Sequence, residues 1–327
     1  GGQAHARRPD PQATSPGPMP SDIAVAAAAR RVKPARARVG VLPYALLLPS
    51  VLLLGTLIAY PLAFALTNSF RFWNLAVSPE PMMGVGFDNY AMILDSPDFL
   101  RALLNTVMLT VAGTAVEFAL GFAIALVLSS ALPGMSAARA LLILPTTIAP
   151  IVVGFLYRYM YDPSGGLAVF ILHTIGLPPP AEGLLGSANT ALISVLFADV
   201  WQWTPFVAII LYAGLLSVPQ EVLEAARLDG ASRWTMVWRI KLPLIRQTAL
   251  IVVMLRFMQL FNTFDLVLVL TRGGPGTATR TLGYSLYELG MVQYNIGMAS
   301  AMTWIIVILV NIFIGIFFYI AFKGREL

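Results

Sequence analysis

Four residues at helical spacing have side chains that together suit binding of a hydroxyl-rich solute. Asp199, Gln202, Trp203 and Phe206 fall at i, i+3, i+4 and i+7, so they would share one face of a helix. A carboxylate and an amide can hydrogen-bond hydroxyl groups, and aromatic rings pack against the apolar faces of sugar rings. Small-molecule sites commonly combine apolar walls with a few placed polar groups in this way. The pattern predicts noncovalent recognition, and the sequence predicts no catalytic residue.

A second set of residues at helical spacing includes a cation, Arg256, within an apolar stretch. Arg256, Leu260 and Thr263 fall at i, i+4 and i+7, with Asn262 to one side. At about 1.5 Å per helical residue, Asp199 and Arg256 would both lie near the middle of a hydrocarbon core about 30 Å thick. The two runs therefore predict one solute site. The alternative is an ion pair between Asp199 and Arg256 that fixes helix packing, and both interpretations can hold together.

Two more ionisable residues, Glu117 and Asp265, lie within apolar stretches. A charge in lipid is costly, so each is expected to face protein or water. For Glu117 we expect a bond to a neighbouring helix. Asp265 would lie near the outer end of its stretch, within reach of interfacial water.

The overall composition makes lipid the solvent for much of this chain. Of its 327 residues, 58% are hydrophobic and only 11% are charged, whereas soluble domains carry about 25% charged residues. This excludes a cytosolic enzyme, a nucleic-acid-binding domain and a disordered regulator. The chain has no cysteine, and His5 and His173 are far apart. We therefore expect no metal site.

Six stretches are long enough to cross a membrane as helices, which requires about 20 residues. We predict an all-α membrane protein in which these stretches are Val41–Leu66, Leu103–Leu132, Ala138–Tyr161, Thr190–Leu216, Ile245–Leu270 and Met298–Phe322. Between the third and fourth, the apolar run Gly166–Leu177 predicts an interfacial helix, and Arg272–Gly276 predicts a sharp turn after the fifth.

Residues 1–40 are rich in Ala, Pro and Arg and lack an apolar period, which predicts a disordered basic arm. Residues 41–327 would form the membrane domain. If the arm is cytoplasmic, fifteen of the 21 Lys and Arg residues lie in inner segments and five in outer loops. Positive charge is enriched on the cytoplasmic side of membrane proteins. The sequence thus predicts a multi-pass protein of the cytoplasmic membrane with both termini in the cytoplasm.

The loop Ser217–Pro243, hereafter the elbow, joins the fourth and fifth stretches on the cytoplasmic side. Ser217 with Gln220 predicts a capping box, followed by a short helix to about Leu228. Gly230 would supply the left-handed residue that ends this helix. A compact, charged bend held by two membrane helices is suited to receive a push from a cytoplasmic partner.

The second half of the elbow is predicted to be another short helix. Ser232 would cap it and Pro243 would close it, with Trp234 and Trp238 on one side. The alternative is a pair of interfacial helices that only connects two spans.

Short runs in and after the elbow resemble known transporter motifs. Glu224–Ala226, Asp229–Ala231 and Ile240–Pro243 resemble the EAA loop of binding-protein-dependent ABC importer permeases, and Leu270–Pro275 is similar to the carbohydrate branch of that family. The resemblance covers roughly Val41–Phe322. It departs from the larger maltose permease in having six spans rather than eight and no large periplasmic insert.

The resemblance implies a MetI-like ABC importer permease fold and a carbohydrate or polyol as cargo. The implied partners are a second permease, two ATPase subunits, an extracytoplasmic solute-binding protein and membrane lipid, with no nucleic acid. The family positions at the ATPase contact match Glu224 and Gly230, and those forming the bend match Ala225, Ala226, Asp229 and Ala231.

The energy source is expected to lie outside this chain, because the sequence contains no G-x-x-x-x-G-K-[ST] phosphate loop. ATP and Mg²⁺ would bind the partner ATPases, and this chain would hold no cofactor. The alternative is an ion-coupled secondary transporter, which would use intramembrane carboxylates as coupling sites.

Overall fold

The structure, a computed structural model, describes residues 1–2, 41–130 and 133–322. The predicted arm therefore lies outside the described residues, apart from Gly1 and Gly2. The chain divides into two compact units, residues 1–58 and 59–327. All packing described below is within the second unit.

Helices account for nearly all of the regular structure in the described ranges. In chain order they are α1 (Val41–Ser69), α2 (Asp88–Leu94), α3 (Pro97–Leu128), α4 (Met135–Thr147), α5 (Pro150–Met160), α6 (Leu167–Thr174), α7 (Ala191–Leu216), α8 (Gln220–Leu228), α9 (Arg233–Leu244), α10 (Arg246–Phe261), α11 (Asp265–Leu270), α12 (Leu282–Tyr287) and α13 (Ile296–Phe322). Strands β1 (Arg71–Phe72) and β2 (Met83–Gly84) pair antiparallel after α1.

Among the described residues, four helices are long and apolar enough to cross a membrane: α1, α3, α7 and α13. The pairs α4–α5 and α9–α10 bring the number to six if each bent pair is one span. The predicted number of six agrees with this upper value. Side chains from Leu46 to Tyr60 of α1 are mostly exposed, as suits a helix whose solvent is lipid.

The prediction of a continuous third span is wrong. Helices α4 and α5 meet at an angle of 93°, and Ile148 and Ala149 between them have extended backbone, with ψ of 133° and 137°. Pro150 favours the break, because a proline ring disfavours the helical region for the residue before it. Pro150 then occupies the first turn of α5, where no N–H donor is needed.

The prediction of a continuous fifth span, Ile245–Leu270, is also wrong. Helix α10 ends at Phe261, and α11 begins only at Asp265. The side chain of Asn262 donates to the carbonyl oxygen of Met258, and Thr281 Oγ1 donates to the carbonyl oxygen of Thr263. These local partners satisfy carbonyls near the break and stabilise a non-helical connection.

Two smaller sequence predictions are confirmed outside the spans. The run Gly166–Leu177 contains helix α6, whose position at the membrane interface stays a prediction, and Arg272–Gly276 forms a sharp turn. Arg272 and Gly273 have φ of 51° and 81°, and the peptide bond between Gly274 and Pro275 is cis.

Helices α3 and α7 approach each other closely because small residues line their contact. A Cβ atom on Gly121 of α3 would lie 2.7 Å from Val207 Cγ1 and 3.1 Å from the backbone nitrogen of Ala208. Phe122 and Ala125 of α3 are buried in the same core as Leu211 of α7. The two helices are therefore packed almost backbone to backbone.

We expect Gly121→Val to destabilise the protein by about 1–3 kcal/mol, because overpacking a tight contact forces the helices apart. Thermal unfolding in detergent measures this loss. The matched control is Gly315→Val in α13, where nothing lies within 4 Å of the added atom. Equal losses in the two variants would contradict the assigned packing.

Candidate functional site

The first half of the elbow forms the predicted helix, α8, but the N-terminus of this helix is not capped as predicted. Ser217 does not cap it: the Ser217 hydroxyl donates to the carbonyl oxygen of Gly214 at 2.7 Å, and Pro219 occupies the cap position. The predicted capping box is therefore wrong. The physical reason is that a serine at the end of α7 finds an unpaired carbonyl there first.

The predicted bend at Gly230 is confirmed. Gly230 has φ of 77°, in the left-handed region. The backbone N–H of Ala231 donates to the carbonyl oxygen of Ala226 at 2.9 Å, and that of Gly230 donates to Arg227 at 3.1 Å. These two hydrogen bonds form the Schellman motif, which ends a helix at a left-handed glycine. Glu224, whose side chain is exposed, lies on α8 just before this turn.

The second half of the elbow is α9. Ser232 caps it as predicted, its Oγ accepting from the Thr235 N–H at 3.1 Å. The prediction that Pro243 closes the helix is wrong, since α9 continues to Leu244. The preceding turn, Met236–Lys241, is a π-helix. A wider turn relieves the clash between a proline ring and the carbonyl four residues earlier.

The elbow is anchored to the membrane helices by buried side chains. Leu223 of α8, Met236 of α9 and Ile245 at the α9–α10 bend share one core with Leu211 of α7 and Val252 of α10. Displacement of the elbow must therefore be transmitted to α7 and α10, because a close-packed interior deforms little.

Three ionisable side chains from three helices meet in the interior of the bundle. Arg256 of α10 donates from Nε and Nη2 to the two carboxylate oxygens of Glu117 on α3, at 2.6 and 2.7 Å. Its Nη2 also donates to Asp199 Oδ2 on α7 at 2.6 Å. The Arg256 side chain is 2% exposed. The predicted ion pair of Asp199 with Arg256 is thus present, and the expected bond of Glu117 to a neighbouring helix is confirmed.

The remaining contacts of Arg256 leave it little capacity for another ligand. Nη1 donates to Gln259 Oε1 at 2.8 Å, and the guanidinium carbon lies 4.9 Å from the centre of the Trp203 ring. Arg256 therefore makes four N–H···O hydrogen bonds within the protein. The cluster therefore holds one guanidinium and two carboxyl groups, and its cation is fully committed.

Of the other predicted binding residues on α7, Gln202 lies close to the break between α4 and α5. Its Nε2 donates to the carbonyl oxygen of Ile148 at 2.8 Å, while its buried Oε1 has no hydrogen-bond partner among the described residues. Phe206 packs edge-on against Trp203, with ring centres 5.9 Å apart. Asp199, Trp203 and Phe206 thus form a polar and aromatic wall beside Arg256, whereas Gln202 bonds to the break between α4 and α5.

The second predicted run is not one continuous face. Leu260 is buried against Gly113 and is a packing residue. Asn262 and Thr263 lie beyond the end of α10, so the i+7 relation of Thr263 to Arg256 does not hold. Gln259, which sequence reasoning did not select, contacts Arg256 instead. Its spacing of three residues from Arg256 on one helix was the available signal.

Comparison with known proteins identifies the family. The family model described as "Binding-protein-dependent transport system inner membrane component" matches residues 91–324. The chain is 35% identical over 228 residues to the trehalose/maltose transport system permease protein MalF of Thermococcus litoralis, covering 68% of this chain and 76% of that protein. It is 32% identical over 266 residues to the trehalose transport system permease protein SugA of Mycobacterium tuberculosis, covering 81% and 83%.

A further relative is the sn-glycerol-3-phosphate transport system permease protein UgpA of Agrobacterium fabrum, 30% identical over 278 residues and covering 83% of this chain and 91% of that one. Among solved structures, a bacterial ABC transporter involved in the import of the acidic polysaccharide alginate has a similar fold. Its TM-score is 0.75 at 23% identity, over 87% of this chain and 96% of that chain.

Proposed function

This chain belongs to the family of binding-protein-dependent transport system inner membrane components, and we propose that the solute it carries is a neutral carbohydrate or polyol. As a member of that family it is a multi-pass membrane permease subunit of an importer, and it is not an enzyme. Relatives named as permeases for trehalose and maltose support the carbohydrate class.

The charge of the buried cluster is the observation that carries the choice of a neutral solute. An anionic group such as a phosphate or uronate needs a free cation in the membrane. Arg256 has already committed its charge to Glu117 and Asp199, which together outnumber it. A solute anion near this cluster would find no free cation and would lie beside the carboxylate of Asp199, and juxtaposed like charges cost several kcal/mol.

A neutral polyol can instead use groups that the cluster leaves available. The unpartnered Oε1 of Gln202 can accept from a hydroxyl, and Trp203 with Phe206 supplies aromatic surface. Asp199 makes one contact to Arg256 where Glu117 makes two. Solute hydroxyls would therefore replace the contact of Asp199 more readily than that of Glu117.

The proposed partners are a second permease, two ATPase subunits and an extracytoplasmic binding protein. One solved relative of the same fold is an alginate ABC transporter in complex with a pentasaccharide-bound periplasmic protein. ATP and Mg²⁺ would bind the ATPases, with no cofactor in this chain. The N- and C-termini would lie in the cytoplasm, as the distribution of basic residues favours.

In this mechanism the elbow receives the movement of the ATPases through Glu224, Gly230 and the residues beside them. Its buried anchors pass that movement to α7 and α10. Access to the wall beside Arg256 would then alternate between the two sides of the membrane, as in other transporters with a site near the midplane.

The test is uptake into proteoliposomes by the complex assembled with its cognate binding protein. We expect uptake of neutral disaccharides or polyols that requires ATP, with glycerol phosphate and uronates transported at least about a hundredfold less efficiently, as several kcal/mol of repulsion implies. The control is this chain alone, which should be inert with and without an ion gradient. Uptake by the lone chain that an ionophore abolishes would establish the ion-coupled alternative instead.

A further inference from the structure

A cavity of about 810 Å³ lies between the end of α3 and the elbow. Its basic lining consists of Arg227, Arg233 and Lys241, and none of these forms a salt bridge with another described residue. Ser129 and Ser130 add hydroxyl groups at the end of α3. None of the described residues that line the cavity is acidic, so the three cations have no acidic partner within this lining.

The same cavity has an apolar side. Leu126, Met236 and Val237 line it together with the cations. A site that joins three cations to an aliphatic wall matches a ligand with an anionic head and an apolar body. A free phosphate ion would have no use for the aliphatic wall.

The surface next to the cavity has the composition of a membrane interface. Trp234 is 72% exposed and lies 5.3 Å, ring centre to ring centre, from the half-exposed Trp238. Tryptophan is enriched at the headgroup level of membranes. After Asp229 the sequence has no acidic residue before Asp265, while Arg233, Arg239, Lys241 and Arg246 follow one another. Helix α9 is thus a basic, tryptophan-bearing helix directly before α10.

We propose that this cavity binds an anionic phospholipid of the cytoplasmic leaflet, with the phosphate among Arg227, Arg233 and Lys241. Basic pockets between membrane helices on the cytoplasmic side bind anionic headgroups for this reason. The proposal rests on the orientation proposed above. A lipid bound there would bridge the end of α3 to the elbow, so the efficiency of the elbow would depend on the lipid composition of the membrane.

The experiment uses the assembled importer in nanodiscs of phosphatidylcholine with increasing phosphatidylglycerol. It compares wild type, Arg233→Gln with Lys241→Gln, and the control Arg239→Gln, an exposed α9 cation that does not line the cavity. Native mass spectrometry counts retained phosphatidylglycerol, and solute-stimulated ATP hydrolysis reports the effect on coupling. Glycerol phosphate added to pure phosphatidylcholine nanodiscs tests a soluble anion.

We expect the double variant to need about thirtyfold more phosphatidylglycerol for half-maximal retention, since each cation near an anionic surface contributes roughly fivefold. The control should shift by less, and soluble glycerol phosphate should not substitute. If the double variant does not assemble, Lys241→Gln alone should shift retention about fivefold.

Unchanged retention in the double variant, or an equal shift in the control, overturns the proposal. Loss of the ATPases with normal lipid retention would also overturn it, because the cations would then belong to a protein contact. ATP-dependent sugar uptake by the wild type is measured in parallel in vesicles that contain phosphatidylglycerol, so a failure of the lipid site is distinguishable from a failure of the proposed transport function.

Discussion

Arg256→Met is expected to destabilise the folded protein by about 3–5 kcal/mol, the usual cost of removing one partner from a buried ion pair. The substitution keeps a long side chain in place but leaves the carboxylates of Glu117 and Asp199 facing each other in the bundle interior. Neither reaches water, since Glu117 is fully buried and Asp199 is 4% exposed. Thermal and denaturant unfolding of the purified chain measures the loss.

A second arginine provides a matched control for Arg256→Met. Arg280 also pairs with two carboxylates, those of Asp98 and Glu288, but its side chain is 21% exposed. Because partly exposed ion pairs contribute about 0–1 kcal/mol, Arg280→Met should cost far less. If both substitutions cost the same, burial of the Arg256 cluster has no energetic importance and our interpretation fails.

The variant that combines Glu117→Gln, Asp199→Asn and Arg256→Met separates charge from shape. Removing all three charges eliminates the uncompensated carboxylates, so more than half of the lost stability should return. Transport should not return with it, because Asp199, which belongs to the proposed solute wall beside Arg256, is lost in this variant. Full transport by this variant would exclude the cluster from solute binding.

Gly230→Val is expected to lower ATP-dependent uptake at least about tenfold while membrane insertion remains normal. Gly230 has φ of 77° with open space around it, so the penalty arises only from the backbone. A left-handed residue with a side chain costs about 1–2 kcal/mol, more for a β-branched one. The strain would be relieved by opening the turn between α8 and α9, which displaces Glu224 from its proposed ATPase contact. Uptake in proteoliposomes and co-purification of the ATPases measure the two effects.

Three further variants show whether the elbow itself is responsible. Gly230→Asn should keep most of the uptake, because asparagine tolerates the left-handed region. Gly134→Val imposes similar strain at φ of 85°, also in open space but at the start of α4. It should lower stability without uncoupling. Normal uptake by both Gly230→Val and Glu224→Ala would exclude the elbow as the coupling element.

The sequence predicted the helices best where an apolar run has no internal break. The predicted span Thr190–Leu216 is observed as the helix Ala191–Leu216. Its one proline, Pro205, lies within a continuous helix. Pro145 and Pro150 look similar in the sequence. However, only Pro150 follows residues whose extended backbone is stabilised by Gln202 from α7, a contact between residues far apart in the chain. Hydropathy cannot report such a partner.

The dependence on contacts between distant residues also explains which residues of the candidate site the sequence predicted and which it missed. Helical spacing correctly joined Asp199 to Trp203 and Phe206, since all lie within one unbroken helix. It failed for Thr263, which follows the end of α10. It also could not rank Glu117 as the stronger partner of Arg256, because the registry between α3 and α10 is set by tertiary packing at positions such as Gly113 and Leu260.

Arg256 of α10 bonds unequally to its two neighbouring helices, α3 and α7. Two hydrogen bonds tie α10 to α3 through Glu117, and one ties it to α7 through Asp199. At Arg256, the contact of α10 with α3 is therefore held more firmly than its contact with α7. The elbow is attached to α7 at one end and to α10 at the other. A movement of the elbow would therefore act on the α7–α10 contact, the weaker of the two that Arg256 makes.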